Sequence, residues 1–478
     1  MPNEGTRERV HPNVTLAVLS VAGLAYAVLS SAVVPALPTI QHSLHANETG
    51  VTWVLTGYLL SASVGTAILG RLGDMYGKEH VLLITLLLLG VGTLLAAISH
   101  SLALLIVARV IQGVGGGIFP LSFGIIRDEF PRDRVAGSIG LVSAILGIGA
   151  GFGIVVGGVI VEHLPWQWLF WMPLIVIMIA AFCTWRFVPE SPVRLSVRLN
   201  WLSAVLMSAG ISIVLLAISE TTTWGWGSAK TLGLLAAGLL LCVVWVMVEV
   251  RSPEPLIDMA MMRLRGVWTT NLSAFLLGAG LYSSFIVIPQ FAQLPKSTGF
   301  GFGASVVISG VYLLPATLGM VVVGFAAGPI SQRFGSKNAV VVGSAITAVA
   351  YALLAFQHGD PYDFLISAAL LGVGIGLAFA ALGNLIVQAV DAHQTGAAAG
   401  MNTVMRTIGG ALGGQLAATF IAGHTGADGL PTVTGFTETF VMAAAFLVVC
   451  TLASLLVPGR SRRLEGRPSE PALTLAKD

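Results

Sequence analysis

The chain has 478 residues, 55% of them apolar and only 10% charged, with a formal net charge of +2. A soluble domain carries about 25% charged residues, so this composition excludes a water-soluble globule, and no nucleic-acid partner is expected. A mean hydropathy of +0.88 and 57 glycines point instead to membrane helices, where small residues let backbones approach closely.

An α-helix needs about 20 apolar residues to cross the hydrocarbon core, and only helices or closed barrels satisfy their backbone hydrogen bonds there. Runs such as Val81–Ile98 and Leu232–Val248 are too long and continuous for barrel strands, which alternate with period two. The predicted spans, in chain order, are 14–37, 51–71, 81–98, 102–124, 136–161, 167–188, 201–219, 231–249, 267–290, 304–327, 338–356, 363–388, 398–421 and 437–457. Met1–His11 is polar and the first apolar run continues for a full span, so no cleavable signal peptide is expected. The cysteines, Cys183, Cys242 and Cys450, all fall inside apolar runs and show neither a disulfide framework nor metal spacing.

An even count of spans puts both termini on one side. Arg109 and Arg406 lie inside spans, and Lys230 and Lys296 lie in loops on the far side. All other lysines and arginines, among them Arg71, Lys78, Arg127, Arg132, Arg134, Arg263, Arg265, Arg333, Lys337 and the tail Arg460, Arg462 and Arg463, fall on the side of the termini. Basic loops stay cytoplasmic, so both termini are expected in the cytoplasm.

The chain also repeats itself. Gly70-Arg-Leu-Gly-Asp-Met-Tyr-Gly77 has a counterpart in Gly328-Pro-Ile-Ser-Gln-Arg-Phe-Gly335, a shift of 258, and Gly113-Val-Gly115-Gly-Gly117 recurs as Gly372-Val-Gly374-Ile-Gly376, a shift of 259. The shifts map spans 1–6 onto spans 9–14 and leave spans 7 and 8 as an insertion. Such doubling builds a central site between two bundles in many transporters. The expected fold is therefore an all-α polytopic membrane protein of 14 transmembrane helices, two pseudo-symmetric six-helix bundles plus two inserted helices. The expected divisions are a cytoplasmic N-terminal segment 1–13, a bundle 14–188, a linker with the two extra helices 189–266, a bundle 267–457 and a cytoplasmic tail 458–478.

This layout and these motifs resemble the major facilitator superfamily, and within it the fourteen-helix drug:proton antiporter branch. Gly70-x-Leu72-x-Asp74-x-x-Gly77-Lys78 matches the superfamily's signature loop, in which an acid and bases latch cytoplasmic helix ends together. Arg109-x-x-Gln112-Gly113-x-Gly115 resembles a second motif, whose arginine is linked to proton or substrate handling; the alternative is that it caps neighbouring carbonyls. The glycine-rich span 5 is similar to the antiporter motif, its core reading Gly153-Ile-Val-Val-Gly157-Gly158 without the usual proline. Small residues from Gly396 to Gly414 surround Arg406, and spans 5 and 13 are expected to pair closely across the pseudo-twofold.

The main departure from the family is in span 1. Val28-Leu-Ser-Ser-Ala-Val-Val-Pro-Ala-Leu-Pro38 lacks the aspartate that the family segment carries. No aspartate, glutamate or histidine is expected near mid-membrane. An arginine cannot carry a proton, because its pKa is above about 12, so Arg109 and Arg406 cannot couple transport to protons by themselves. The expected proton carriers are rim carboxylates at the outer mouth, Glu162, Glu220 and Glu438; the alternative is transport that is uncoupled or coupled otherwise. A site without a carboxylate favours a neutral or anionic amphiphile over a cation. Candidate cavity residues are Tyr26, Ser30, Ser31, Thr56, Tyr58, Gln112, Asn271, Phe275, Tyr282, Asn384 and Asn402. Each is a core or interhelical contact on the plainer reading. The candidate coupling or gating residues are Asp74, Arg109, Arg406, Glu162, Glu220 and Glu438, and the candidate conformational residues are Gly70, Gly77, Lys78, Gly153, Gly157, Gly158, Gly328 and Gly335.

The function implied is export of drug- or antibiotic-like amphiphiles by alternating access, in a bacterial plasma membrane, with protons as partner and the chain as a monomer. No cofactor or metal is expected, and the chain is not expected to be an enzyme. No catalytic constellation is visible, nor a phosphate-binding Gly-x-x-x-x-Gly-Lys-Ser/Thr loop. A non-transporting receptor or scaffold is the rival of another class.

Overall fold

The structure is a computed structural model and describes residues 12–46, 48–191, 200–426 and 429–458. The expectations for the polar start, the tail arginines and part of the linker lie outside the described residues. The long helices are α1 (Pro12–Ser31), α2 (Glu48–Tyr76), α3 (Lys78–Ala97), α4 (Leu102–Gly113 continued by Ile118–Glu129), α5 (Arg132–His163) and α6 (Trp168–Phe187). The inserted pair is α7 (Trp201–Ser219) and α8 (Ala229–Arg251). The second bundle is α9 (Arg265–Gln293), α10 (Val306–Val311 continued by Leu314–Phe334), α11 (Ser336–Phe356), α12 (Pro361–Gln388), α13 (Thr395–Gly423) and α14 (Val433–Leu455).

Among the described residues, thirteen helices are long and apolar enough to cross a membrane. The remaining expected span, 398–421, lies in α13, which has 29 residues. Its length suffices, but Asn402, Arg406, Gln415 and many glycines make it too polar to qualify by composition. α13 nevertheless runs from Gly396, against Asp74 at one end of the bundle, to Thr419, whose hydroxyl accepts from Trp226 Nε1 at 2.9 Å near the other.

Local sequence sets several helix starts. Ser101, Asn200 and Ser228 cap α4, α7 and α8 by accepting from backbone N–H groups one turn on, and Asp360 with Asp363 forms a capping box before α12, with Pro361 in its first turn. The expected span 14–37 divides. α1 stops at Ser31, a turn follows, and a short helix Leu37–Ser43 begins with Pro38 in its first turn. Pro35 has no N–H to continue the ladder.

Each bundle has a close seam of small residues between equivalent helices. In the first, α5 lies against α1: a Cβ at Gly149 would sit 2.4 Å from the Ala27 Cβ, one at Gly153 2.1 Å from Ser31 Oγ, and one at Gly157 2.2 Å from the Ala32 carbonyl oxygen. In the second, α13 lies against α9: Gly409 and Gly413 face the carbonyls of Phe275 and Ala279 at 1.9 and 2.2 Å on the same measure. The seams are counterparts under the repeat.

The expected close pairing of α5 with α13 is not what forms. α5 crosses α10 and α13 crosses α2, because a twofold that exchanges α5 and α13 places them on opposite flanks of the interface. Gly70 meets Gly396 backbone to backbone, and Gly328 meets Gly137 in the same way. The shifts, 328 − 70 = 258 and 396 − 137 = 259, are those of the sequence repeat.

Candidate functional site

The bundle end that carries Arg71, Lys78, Arg127, Arg134, Arg265 and Lys337 is called the basic end. Here Asp74, in the last turn of α2, has no exposed surface. Its Oδ1 accepts from the Gly396 N–H at 3.3 Å and its Oδ2 from the Ala397 N–H at 3.1 Å. A carboxylate thus faces the N-terminus of a 29-residue helix of the other bundle, where free N–H groups and the helix dipole favour negative charge. The closeness of Gly70 and Gly396 makes this possible; a Cβ at either would fall 2.2–2.3 Å from a carbonyl oxygen of the other.

Lys78 partly offsets the charge of two acids here. Its Nζ is 3.5 Å from Asp74 Oδ1 and 2.8 Å from Asp128 Oδ2, all three side chains being buried. Gly77 (φ +106°) and its counterpart Gly335 (φ +79°) turn α2 into α3 and α10 into α11; both hold a left-handed backbone that favours glycine. Arg127 adds a second tie between the bundles. It donates to the Val390 carbonyl at 2.7 Å, the Asp391 carbonyl at 3.1 Å and Thr395 Oγ1 at 2.6 Å.

The other crossing is built differently. Gln332 stands where the repeat would place the acid (74 + 258 = 332). It donates from Nε2 to the Asp133 carbonyl at 2.7 Å, in an exposed setting. A cavity of about 270 Å³ lies beside it, lined in part by Asn13, Arg134, Gly137, Gly328 and Gln332. One crossing is thus charged and buried, its counterpart neutral and open.

The inserted pair reaches the charged crossing. Glu249 near the end of α8 is buried and accepts from Ser203 Oγ, Trp245 Nε1 and the N–H groups of Leu256 and Ile257. This shapes the loop after α8. Arg71 of α2 then donates to the Pro255 carbonyl at 2.9 Å, and Gln394, just before α13, donates to Asp258 at 3.1 Å.

Between the bundles, toward their middle, lies an aromatic and cationic cluster. Arg109 has no exposed surface. It donates to the carbonyls of Val54 (3.1 Å) and Leu29 (3.4 Å) and to Gln112 Oε1 (2.9 Å), while one Nη is left without a hydrogen-bond partner. Gln112 in turn donates to Thr93 Oγ1 at 3.1 Å. The guanidinium lies 4.1 Å from the Tyr58 ring centre, a cation–π distance. The Tyr58 and Tyr26 rings are 6.0 Å apart, and Phe119 meets Tyr26 edge-on at 6.1 Å. From the second bundle, Arg406 stands over the Phe379 ring at 4.9 Å. Tyr26 is within electrostatic reach of both Tyr282 and Arg406, so the cluster spans the interface.

The structure brings together Tyr26, Tyr58, Gln112, Arg109, Tyr282 and Arg406. Ser30 bonds back to the Ala27 carbonyl and stays partly exposed. Thr56 is buried, and Phe275 is partly exposed beside the α9–α13 seam. Others serve elsewhere. Ser31 bonds to carbonyls of α1 and to the Gly149 carbonyl in the α1–α5 seam. Asn384 donates to the Ala136 carbonyl across the bundles, and Asn402 donates to Asn271 Oδ1. The three acids expected as proton carriers sit in different settings: Glu162 is exposed, Glu220 is buried, and Glu438 pairs with His424 at 3.6 Å. Phe379, Phe119, Arg127 and Gln394 were missed from sequence. Only the repeat held a signal for the two phenylalanines, since each lies just past the last glycine of its copy.

A family model described as Major Facilitator Superfamily matches residues 19–414 and 270–476. The chain is 29% identical over 430 residues to the tetracenomycin C resistance and export protein of Streptomyces glaucescens, covering 89% of this chain and 78% of that one. It is 26% identical over 365 residues to multidrug resistance protein 3 of Bacillus subtilis (76% and 70% covered). Over 373 residues it is 28% identical to the multidrug resistance protein B homolog of Mycobacterium tuberculosis (77% and 68%). Among solved structures, the proton:xylose symporter XylE with a bound sugar analogue superposes with a TM-score of 0.66 at 13% identity, covering 94% of this chain and 96% of that one. The human organic anion transporter TETRAN gives 0.65 at 16%, covering 92% and 99%. At such identities the likeness shows the fold alone.

Proposed function

The chain belongs to the Major Facilitator Superfamily, and on that premise we propose that it exports drug- or antibiotic-like amphiphiles, neutral or anionic, by alternating access across a bacterial plasma membrane. The relatives' names, a tetracenomycin C exporter and multidrug resistance proteins, support the cargo class. The observation that carries the reading is the pairing of two features on one helix, α13. Its N-terminus is held by Asp74 of the other bundle, and its middle presents Arg406 to the space between the bundles. Closure at the basic end and cargo contact thus share one rigid element, which is what a rocking carrier requires. In this reading α13 crosses the bilayer too, giving fourteen crossings with both termini cytoplasmic, and the chain works as a monomer.

Cargo charge follows from the cluster. Among the described residues, the ring of Tyr58 lies 4.1 Å from Arg109 and that of Phe379 4.9 Å from Arg406, and no carboxylate pairs with either guanidinium. A lipophilic cation would meet two fixed positive charges and nothing to offset its own. Proton linkage is assigned to the outer acids Glu162, Glu220 and Glu438. The test uses the full chain in proteoliposomes with tetracenomycin C, a neutral amphiphile and tetraphenylphosphonium as cargoes. Export of the first two ahead of the cation is expected; preference for the cation, or no export of any, refutes the reading. Export under an imposed pH gradient that survives the combined substitutions E162Q, E220Q and E438Q refutes the outer-acid route.

A further inference from the structure

The two guanidiniums inside the bundle are not equivalent. Arg109 is fully buried and committed to Val54, Leu29 and Gln112 within its own bundle. Its remaining Nη has no hydrogen-bond partner but is itself buried, so no ligand reaches it without displacing the side chains packed over it. Arg406 is partly exposed to the space between the bundles, and its one close partner is the face of Phe379 at 4.9 Å. Among the described residues no hydrogen bond or ion pair ties its guanidinium to the protein, and the ionisable groups that act on it electrostatically are the phenols of Tyr282 and Tyr26. It sits eleven residues into α13 (406 − 395), roughly 16 Å along a helix rising about 1.5 Å per residue. A cation at that depth is expensive unless something pairs with it.

We infer that Arg406 is the residue that reads cargo charge, and that the preferred cargo is an aromatic monoanion, a flat ring system bearing a carboxylate or an acidic phenol. This rests on the exporter reading and narrows it from neutral-or-anionic to anionic. A guanidinium offers two parallel donors to a carboxylate. The surroundings supply one ring face directly, Phe379 under the guanidinium, and the Tyr282 ring packs against Gly410 one turn further along α13. The cation already stacked on Phe379 is held in orientation without being neutralised, which leaves its donor edge for the ligand.

The probes are 1-hydroxy-2-naphthoate and its methyl ester, which differ in one charge. Binding of each to the purified full chain is measured by calorimetry. The wild-type chain is expected to bind the acid about tenfold or more tightly than the ester, as one charge-assisted contact implies. Arg406→Gln brings the acid down to the ester's affinity and leaves the ester within about twofold. Arg406→Lys, which keeps the charge but loses the planar fork, retains part of the preference. A preference that survives Arg406→Gln overturns the inference, as does a wild-type chain that binds acid and ester alike or binds neither. Elution volume and melting temperature of each variant separate a lost site from a lost fold. Export of the neutral amphiphile by the wild-type chain reports on the exporter reading independently, so the two failures are distinguishable.

Discussion

Replacing Asp74 by asparagine keeps the shape of the latch and removes its charge. In the native arrangement both carboxylate oxygens accept from N–H groups at the start of α13, and no side-chain surface is exposed, so solvent does not screen the interaction. A hydrogen bond to a charged group contributes about 1.5–3 kcal/mol, and a charge at a helix terminus up to about 2 kcal/mol in buried geometry. Asparagine retains one neutral acceptor, so the loss comes to about 2–3 kcal/mol. All of it falls on the state closed at the basic end, because the contact joins the two bundles. At about 1.4 kcal/mol per factor of ten, the closed-to-open ratio drops about 30- to 150-fold. Spin labels at Tyr76 on α2 and Phe334 on α10, both more than half exposed, in a background lacking Cys183, Cys242 and Cys450, read the separation of the bundles. Wild type is expected to give a dominant short distance and Asp74→Asn a large longer population. Identical distance distributions in the two proteins refute the reasoning.

Gly396→Ala is expected to open the same pair of labels, because its Cβ would lie 2.2 Å from the Gly70 carbonyl oxygen, a backbone atom that cannot step aside. Gly335→Ala meets nothing within 4 Å; only the left-handed backbone resists it, so a loss of about 1–2 kcal/mol in thermal or denaturant unfolding is expected, without a change in label distance. Arg109→Gln strips donors from the Val54 and Leu29 carbonyls at about 1–3 kcal/mol each, and a melting temperature lowered by several degrees checks it. Lys78→Met leaves Asp74 and Asp128 buried without their cation, and a loss of about 3–5 kcal/mol in stability is expected, read in the same melting experiment.

Much of this architecture was legible in the sequence because a bilayer imposes length and composition together. The Gly70–Gly77 repeat gave the loops, and its partner glycines, Gly137 and Gly396, lie at the same offset, so the crossing points were present in the letters. The pairing was read wrongly for α5 and α13, since similarity of composition marks equivalent helices, not touching ones. Arg109 shows the limit for side chains. Its position in a span was visible, but whether it faced a ligand or three acceptors of its own bundle depended on carbonyls that every residue carries. Asn384 and Asn402 misled for the same reason: a polar residue in a span is conspicuous, and the backbone oxygen that satisfies it is not.

The loop held by Glu249 carries a consequence for how the inserted hairpin is regarded. Its Pro255 carbonyl is gripped from α2 and its Asp258 from the approach to α13, so a single short stretch of chain clasps both halves of the molecule where they must part. The extra pair of helices is therefore no passenger. On the exporter reading, a compound wedged under that clasp would arrest the rocking from outside the cargo path, and resistance to such an inhibitor would arise at positions that never meet the cargo.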